Sequence, residues 1–158
     1  METKASAECE RIAYADLDHI AEGAYAMVAS QQEVLSKKVA YDLNVARKVL
    51  NITGKVSFNK DKTARWSAIN QFTKGVSDIE LPRMLVGGKW LGQNKSFAKK
   101  TPVVDETQEL VGGTCTIFQR MNEHGDMLRV ATNVKKLDGN RAIGTFIPRT
   151  NPNGTPNK

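Results

Sequence analysis

The residues with the clearest chemical potential are Gln119, Arg129 and Asn133. They lie in two neighbouring runs, 114–121 and 127–134, whose Thr, Ile, Phe, Val and Leu content suits the strands of one hairpin. If Met121 pairs with Met127, Gln119 falls opposite Arg129 and Cys115 opposite Asn133, so the three polar residues share a face. A planar guanidinium fork flanked by amide donors is a chemistry that holds carboxylates. Thr132 and Arg141 are secondary candidates, and Trp90 could close a pocket from a loop. The competing reading makes Arg129 a salt-bridge residue on a covered sheet.

Catalytic chemistry finds less support. A thiol nucleophile needs a base beside it, and His19 and His124 are the only histidines. His124 sits in the hairpin turn, whereas Cys115 lies at the far end of its strand. At about 3.3 Å per residue they stand roughly 25 to 30 Å apart. Cys9 and Cys115 are far apart in sequence and neither lies in a C-x-x-C-H context, so no disulfide framework, zinc site or haem attachment is expected. His19 with Asp16 and Glu22 reads as a solvated helical face rather than a metal site. Asp105, Glu106 and Glu109 follow Pro102 at the start of a short helix, where carboxylates complement the helix dipole. GGKW at 87–90 lacks the second half of a phosphate-loop pattern. These residues predict no cofactor, no metal and no enzyme.

The elements that position the polar group begin with the hairpin. Its turn, 122–126, reads NEHGD, and Asn, Asp and Gly tolerate the positive φ that a longer hairpin connection needs. Apolar residues fall on both of its faces, Phe118 with Val130 on one and Ile117 with Ala131 on the other, which implies a sheet covered on both sides. From about residue 3 to residue 50 there is no proline and Gly23 is the only glycine. Leu17, Ile20, Ala24, Met27, Gln31, Leu35, Val39, Asp42, Ala46 and Val49 recur at helical spacing. About 45 residues at 1.5 Å each make a helix of roughly 65 to 70 Å. Two shorter helices broken near Gly23 or Ser30 are the alternative. Asn51 and Gly54 suit its C-terminal end.

Beyond the helix, 56–58 reads as a short strand, 59–63 as a charged loop and 64–73 as a strand carrying Trp66, Ala68 and Phe72. Gly75, Pro82, Gly87, Gly88 and Gly92 suggest that 74–100 is irregular loop anchored by Met84, Leu85, Val86, Trp90 and Leu91. Residues 141–147 form a further strand candidate. From Pro148 onward, Asn, Pro and Gly predict an end that frays unless a following segment anchors it.

Composition bounds the function without choosing it. The chain is 40% hydrophobic and carries a net charge of +6, with a pI near 9.4, a balance that favours anionic partners. Its cations are scattered and never form a dense block with interleaved aromatics, so nucleic acid is not the expected partner. No apolar run is long enough to span a membrane, and Met1 leads directly into Glu2, Lys4, Glu8 and Glu10 rather than into a signal peptide.

Taken in order, NQFTK at 70–74, LPRMLVGGKWLGQN at 81–94, GGTCTIFQR at 112–120, LRVATNV at 128–134 and LDGNRAIGTFIP at 137–148 resemble one family. It is the extracytoplasmic sensor region of bacterial methyl-accepting chemotaxis receptors, of the fused double-Cache type. The resemblance covers most of the chain from about residue 35. It implies an α+β fold: a long N-terminal helix over 1–54, packed on a small antiparallel PAS-like Cache sheet within 55–158. It further implies a pocket built from sheet and loops, periplasmic ligand sensing without catalysis, and membrane attachment through segments absent from this chain. In such sensors a helix and further strands follow the segment that here ends at Lys158, so the sheet is expected to be incomplete. The overlong helix and open sheet edge predict a homodimer. A structural or oligomerising fragment without a pocket is the alternative, and a basic nucleic-acid-binding protein stands last.

Overall fold

The computed structural model describes residues 2–157. Helix α1 (Glu2–Thr53) is continuous through Gly23 and Ser30, as its alanine-rich, proline-free sequence allows. Contacts divide the chain into two compact units, residues 1–41 and residues 42–158. In the first, Leu17, Ile20, Met27, Leu35 and Val39 are each at least 60% exposed. In the second, Val45, Val49 and Leu50 pack on the hydrophobic core. The apolar seam read along the helix is therefore buried only in its final turns.

Six strands follow: β1 (Val56–Asn70), β2 (Val76–Val86), β3 (Lys89–Trp90), β4 (Thr116–Arg120), β5 (Met127–Thr132) and β6 (Thr145–Ile147), with helix α2 (Val104–Val111) between β3 and β4. They form one sheet in the order β3-β2-β1-β6-β5-β4. Every pairing is antiparallel except β1 with β6, which is parallel. This is the expected α+β arrangement of a long N-terminal helix and a small, incomplete sheet, made mixed by that one pairing. Ala64, Trp66, Ala68, Leu81, Leu128, Val130 and Phe146 are buried in its core.

Three local expectations are corrected. The charged segment 59–63 is not a loop between strands. It is an irregularity within β1, where pairing passes from Asn59↔Arg83 to Thr63↔Pro82. The Asn59 side chain holds it by accepting from the amides of Asp61 and Lys62 at 3.0 and 3.1 Å. Second, β2 occupies residues read as irregular: Ile79 lies opposite Trp66, and Leu81 opposite Ala64. Pro82 is tolerated because it sits beside the irregularity, where the ladder is already interrupted. Third, the β4–β5 register begins as expected, with Thr116↔Thr132 and Ile117↔Ala131, but then shifts to Phe118↔Arg129 and Gln119↔Leu128. Val130 is the extra residue, and one extra residue exchanges faces.

The exit of α1 depends on a close backbone approach. Gly54 has φ +133, and a Cβ placed there would lie 2.4 Å from the Gly87 Cα in the β2–β3 turn. Gly54→Ala is expected to destabilise the fold by more than about 1 kcal/mol, because it adds a clash to an unfavourable φ. Urea unfolding of this variant beside wild type measures the loss.

Candidate functional site

The six residues selected from the sequence do not converge on one site. Gln119 is 5% exposed and its Nε2 donates to the Pro82 carbonyl at 2.9 Å. Arg129 projects from the opposite face, because the Val130 irregularity moves it beside Phe118 instead of Gln119. Its Nη1 donates to Thr145 Oγ1 at 2.8 Å and to the Ala142 carbonyl at 3.4 Å. Its guanidinium stands 5.5 Å from the Phe118 ring centroid, while its Nε is buried without a hydrogen-bond partner. That burial pushes the Arg129 pKa down from its ordinary value.

Asn133 and Thr132 are committed to the framework. Asn133 Nδ2 donates to the Val104 carbonyl at 2.9 Å and its Oδ1 accepts the Cys115 amide at 2.8 Å, tying α2 to the approach of β4. Thr132 Oγ1 meets Thr116 Oγ1 at 2.7 Å across the hairpin. Trp90 is 39% exposed on β3, with the Arg83 guanidinium 4.3 Å from its ring centroid. The expected grouping of Gln119, Arg129 and Asn133 on one face is thus corrected.

Arg141 is 2% exposed and uses all five of its N–H donors. Nη1 and Nη2 grip Asp105 in a fork at 2.6 and 2.7 Å. The remaining donors reach the carbonyls of Ser96 at 2.9 Å, Thr132 at 3.0 Å and Lys99 at 3.2 Å. The Phe97 ring covers the guanidinium, its centroid 4.3 Å away. Asp105 also accepts the Thr101 amide at 2.7 Å. Its sequence position suggested a helix-start residue, and α2 does begin at Val104 after Val103, whose φ is positive at 70. Its larger role, as counter-ion to a residue 36 positions away, left no local signal.

Above the start of β6 the sheet opens. Pairing of β1 with β6 covers only Ile69 and Asn70, and the gap beyond is a cavity of about 320 Å³. Arg65, Lys95, Lys136 and Arg141 line it, with Trp66 and Ile143 as apolar walls and no carboxylate. Gln93 Nε2 donates to the Arg65 carbonyl at 2.6 Å, which holds the 91–101 loop against β1. Lys136 pairs with Asp138 at 2.8 Å in an exposed bridge, whose hold is weak. Among the described residues, Arg65 and Lys95 have no salt-bridge partner. A more open depression of about 460 Å³ near Arg65 is bordered by Asp78 and Glu80, and there Ser67 Oγ already donates to Asp78 at 2.7 Å. The lining of the 320 Å³ cavity is the more uniformly cationic of the two.

The model of the Cache 3/Cache 2 fusion domain matches residues 2–156. The chain belongs to this Cache family. Comparisons with curated proteins and with solved structures return no match. Cache domains are extracellular sensing modules that bind small molecules and are generally non-catalytic. Among the described residues, no helix of this Cache domain is long and apolar enough to cross a membrane.

The Arg141–Asp105 pair gives this Cache domain an acid-sensitive stability. Burial pushes the Asp105 carboxyl up, but the Arg141 hydrogen bonds, the Thr101 amide and the Arg141 and Lys100 charges together hold it below its ordinary 3.8. A depressed native pKa stabilises the fold above the unfolded value, and that contribution is lost as pH falls through the native one. Stability should therefore decline as pH drops below about 4, and Asp105→Asn should flatten that part of the profile. Arg141→Ala is expected to cost about 3–5 kcal/mol at neutral pH, because it leaves a partly buried carboxylate without its partner. Urea unfolding across pH 2.5 to 7 checks both.

Proposed function

We propose that this Cache domain is the periplasmic sensing module of a chemotaxis receptor, and that its ligand is a small anion held in the cavity between β1 and residues 141–144. The observation that carries the ligand class is the convergence of Arg65, Lys95 and Lys136 on a cavity with no carboxylate in its lining. These three side chains come from β1, from the loop before α2 and from the turn after β5. A bound carboxylate would bridge all three segments, and the desolvated walls of Trp66 and Ile143 would strengthen its attraction to the cations. Binding would then draw the 91–101 loop, already fastened through Arg141, more tightly to β1. In this reading, attachment to the membrane belongs to other segments of the receptor.

The receptor module also pairs with a second copy through α1. Leu17, Ile20, Met27, Leu35 and Val39 line one apolar seam and are exposed, and a helix with such a seam gains by packing against another. Sedimentation of the chain at micromolar concentrations is expected to show a dimer. A compact monomer throughout that range would remove the pairing.

A thermal-shift screen with organic acids and amino acids tests the sensing role. A saturating ligand at a hundredfold excess over its Kd should stabilise the fold by about 2.7 kcal/mol. Lys95→Ala and Arg65→Ala should each lose most of that effect, and Arg129→Ala should keep it. If Arg129→Ala alone abolishes the response, the ligand sits on the opposite face and this site assignment fails. If no compound stabilises the chain, the sensing role itself loses its support.

A further inference from the structure

The free edge of β1 inside the cavity narrows the ligand class further. The amide of Ile69 donates to the Gly144 carbonyl at 2.9 Å, and that of Gln71 to the Phe146 carbonyl at 3.0 Å. Backbone direction alternates along a strand, so Ser67 and Arg65 direct their amides and carbonyls to the same side. There the parallel partner has ended, because β6 begins at Thr145 and pairs no earlier than Ile69. The Arg65 carbonyl is met by the Gln93 side chain. Among the described residues, the Arg65 amide and both backbone groups of Ser67 have no backbone partner on that side.

We propose that the cavity takes the carboxylate-bearing end of a short peptide, which adds as a strand to β1 at Arg65–Ser67. This rests on the anion-sensing reading above and specifies its ligand. With the Arg65 carbonyl already met by Gln93, the edge offers the amides of Arg65 and Ser67 and the Ser67 carbonyl over two residue steps of about 3.3 Å, roughly 7 Å and the span of the two peptide units of a tripeptide. Main-chain bonds to such an edge supply affinity for any extended peptide, and the side-chain surroundings choose among peptides. Here Arg65, Lys95 and Lys136 select a carboxylate, and Trp66 and Ile143 accept an apolar side chain. A simple dicarboxylate would satisfy the cations but would leave the Ser67 carbonyl without a donor.

Isothermal titration of the 158-residue chain with three probes tests this. The probes are an alanyl-valyl-aspartate tripeptide, the same tripeptide N-methylated at both peptide nitrogens, and succinate. The tripeptide should bind about tenfold or more tightly than succinate, and N-methylation should remove that advantage. Lys95→Glu should abolish binding of all three probes. Ser67→Pro removes the edge donor and should weaken the tripeptide but not succinate; the N-methylated probe reads the same edge without altering the protein. If succinate binds as tightly as the tripeptide, or N-methylation changes nothing, the peptide proposal is overturned and the anion reading stands. If tripeptide binding survives Lys95→Glu, the location is wrong. If none of the three probes binds, both proposals fall.

Discussion

The fork between Arg141 and Asp105 is the interaction on which most of the irregular structure depends. Burying a guanidinium is costly unless every donor finds an acceptor, and Arg141, on the approach to β6, finds acceptors on three segments: the 94–101 loop, α2 and the end of β5. Around it, Asn94 Nδ2 bonds the Lys99 carbonyl and Thr101 Oγ1 at 2.7 and 2.8 Å, so the loop carries its own cross-links. Loops lacking regular structure must satisfy their carbonyls somewhere. Here one buried side chain satisfies two of them, those of Ser96 and Lys99, which helps a basic segment lie ordered against β1 and wall a cavity.

A single extra residue has comparable reach. Val130 interrupts the β4–β5 ladder and places Gln119 in the core, while Arg129 goes to the opposite face. Gln119 then links the hairpin to β2 through the Pro82 carbonyl, and Arg129 links it to Thr145 at the start of β6. Each half of what resembled a carboxylate clamp instead joins two strands of the sheet. The half-buried Arg129, with its unpartnered Nε, is the less satisfied of the two.

The cations that do converge belong to segments with little local order of their own. Lys95 sits on the loop that Arg141 fastens, and Lys136 sits in the turn that returns to Arg141. Rigid positioning of the polar framework and electrostatic character of the cavity are therefore linked. The same clamp that completes the fold also sets the separation of the charges that line the cavity.

Local sequence by itself determined α1, the two strands of the hairpin and the placement of a short helix before it. Those features depend on neighbours within a few residues: the absence of proline, the three-and-four spacing of apolar residues and a turn rich in Asn, Asp and Gly. Resemblance of five ordered motifs added the α+β sensor fold and the incomplete sheet. Only the tertiary structure decided the rest. It placed β2 on residues whose proline and flanking glycines disguised an alternation visible at Ile79 and Leu81 opposite Trp66 and Ala64. It made 59–63 an irregularity rather than a break, shifted the hairpin by one residue, and chose Asp105 as the partner of Arg141. It also assembled Arg65, Lys95 and Lys136 from three segments. Register shifts and ion pairs across tens of residues are settled by packing against elements remote in the chain, and a scan of local spacing does not contain that information.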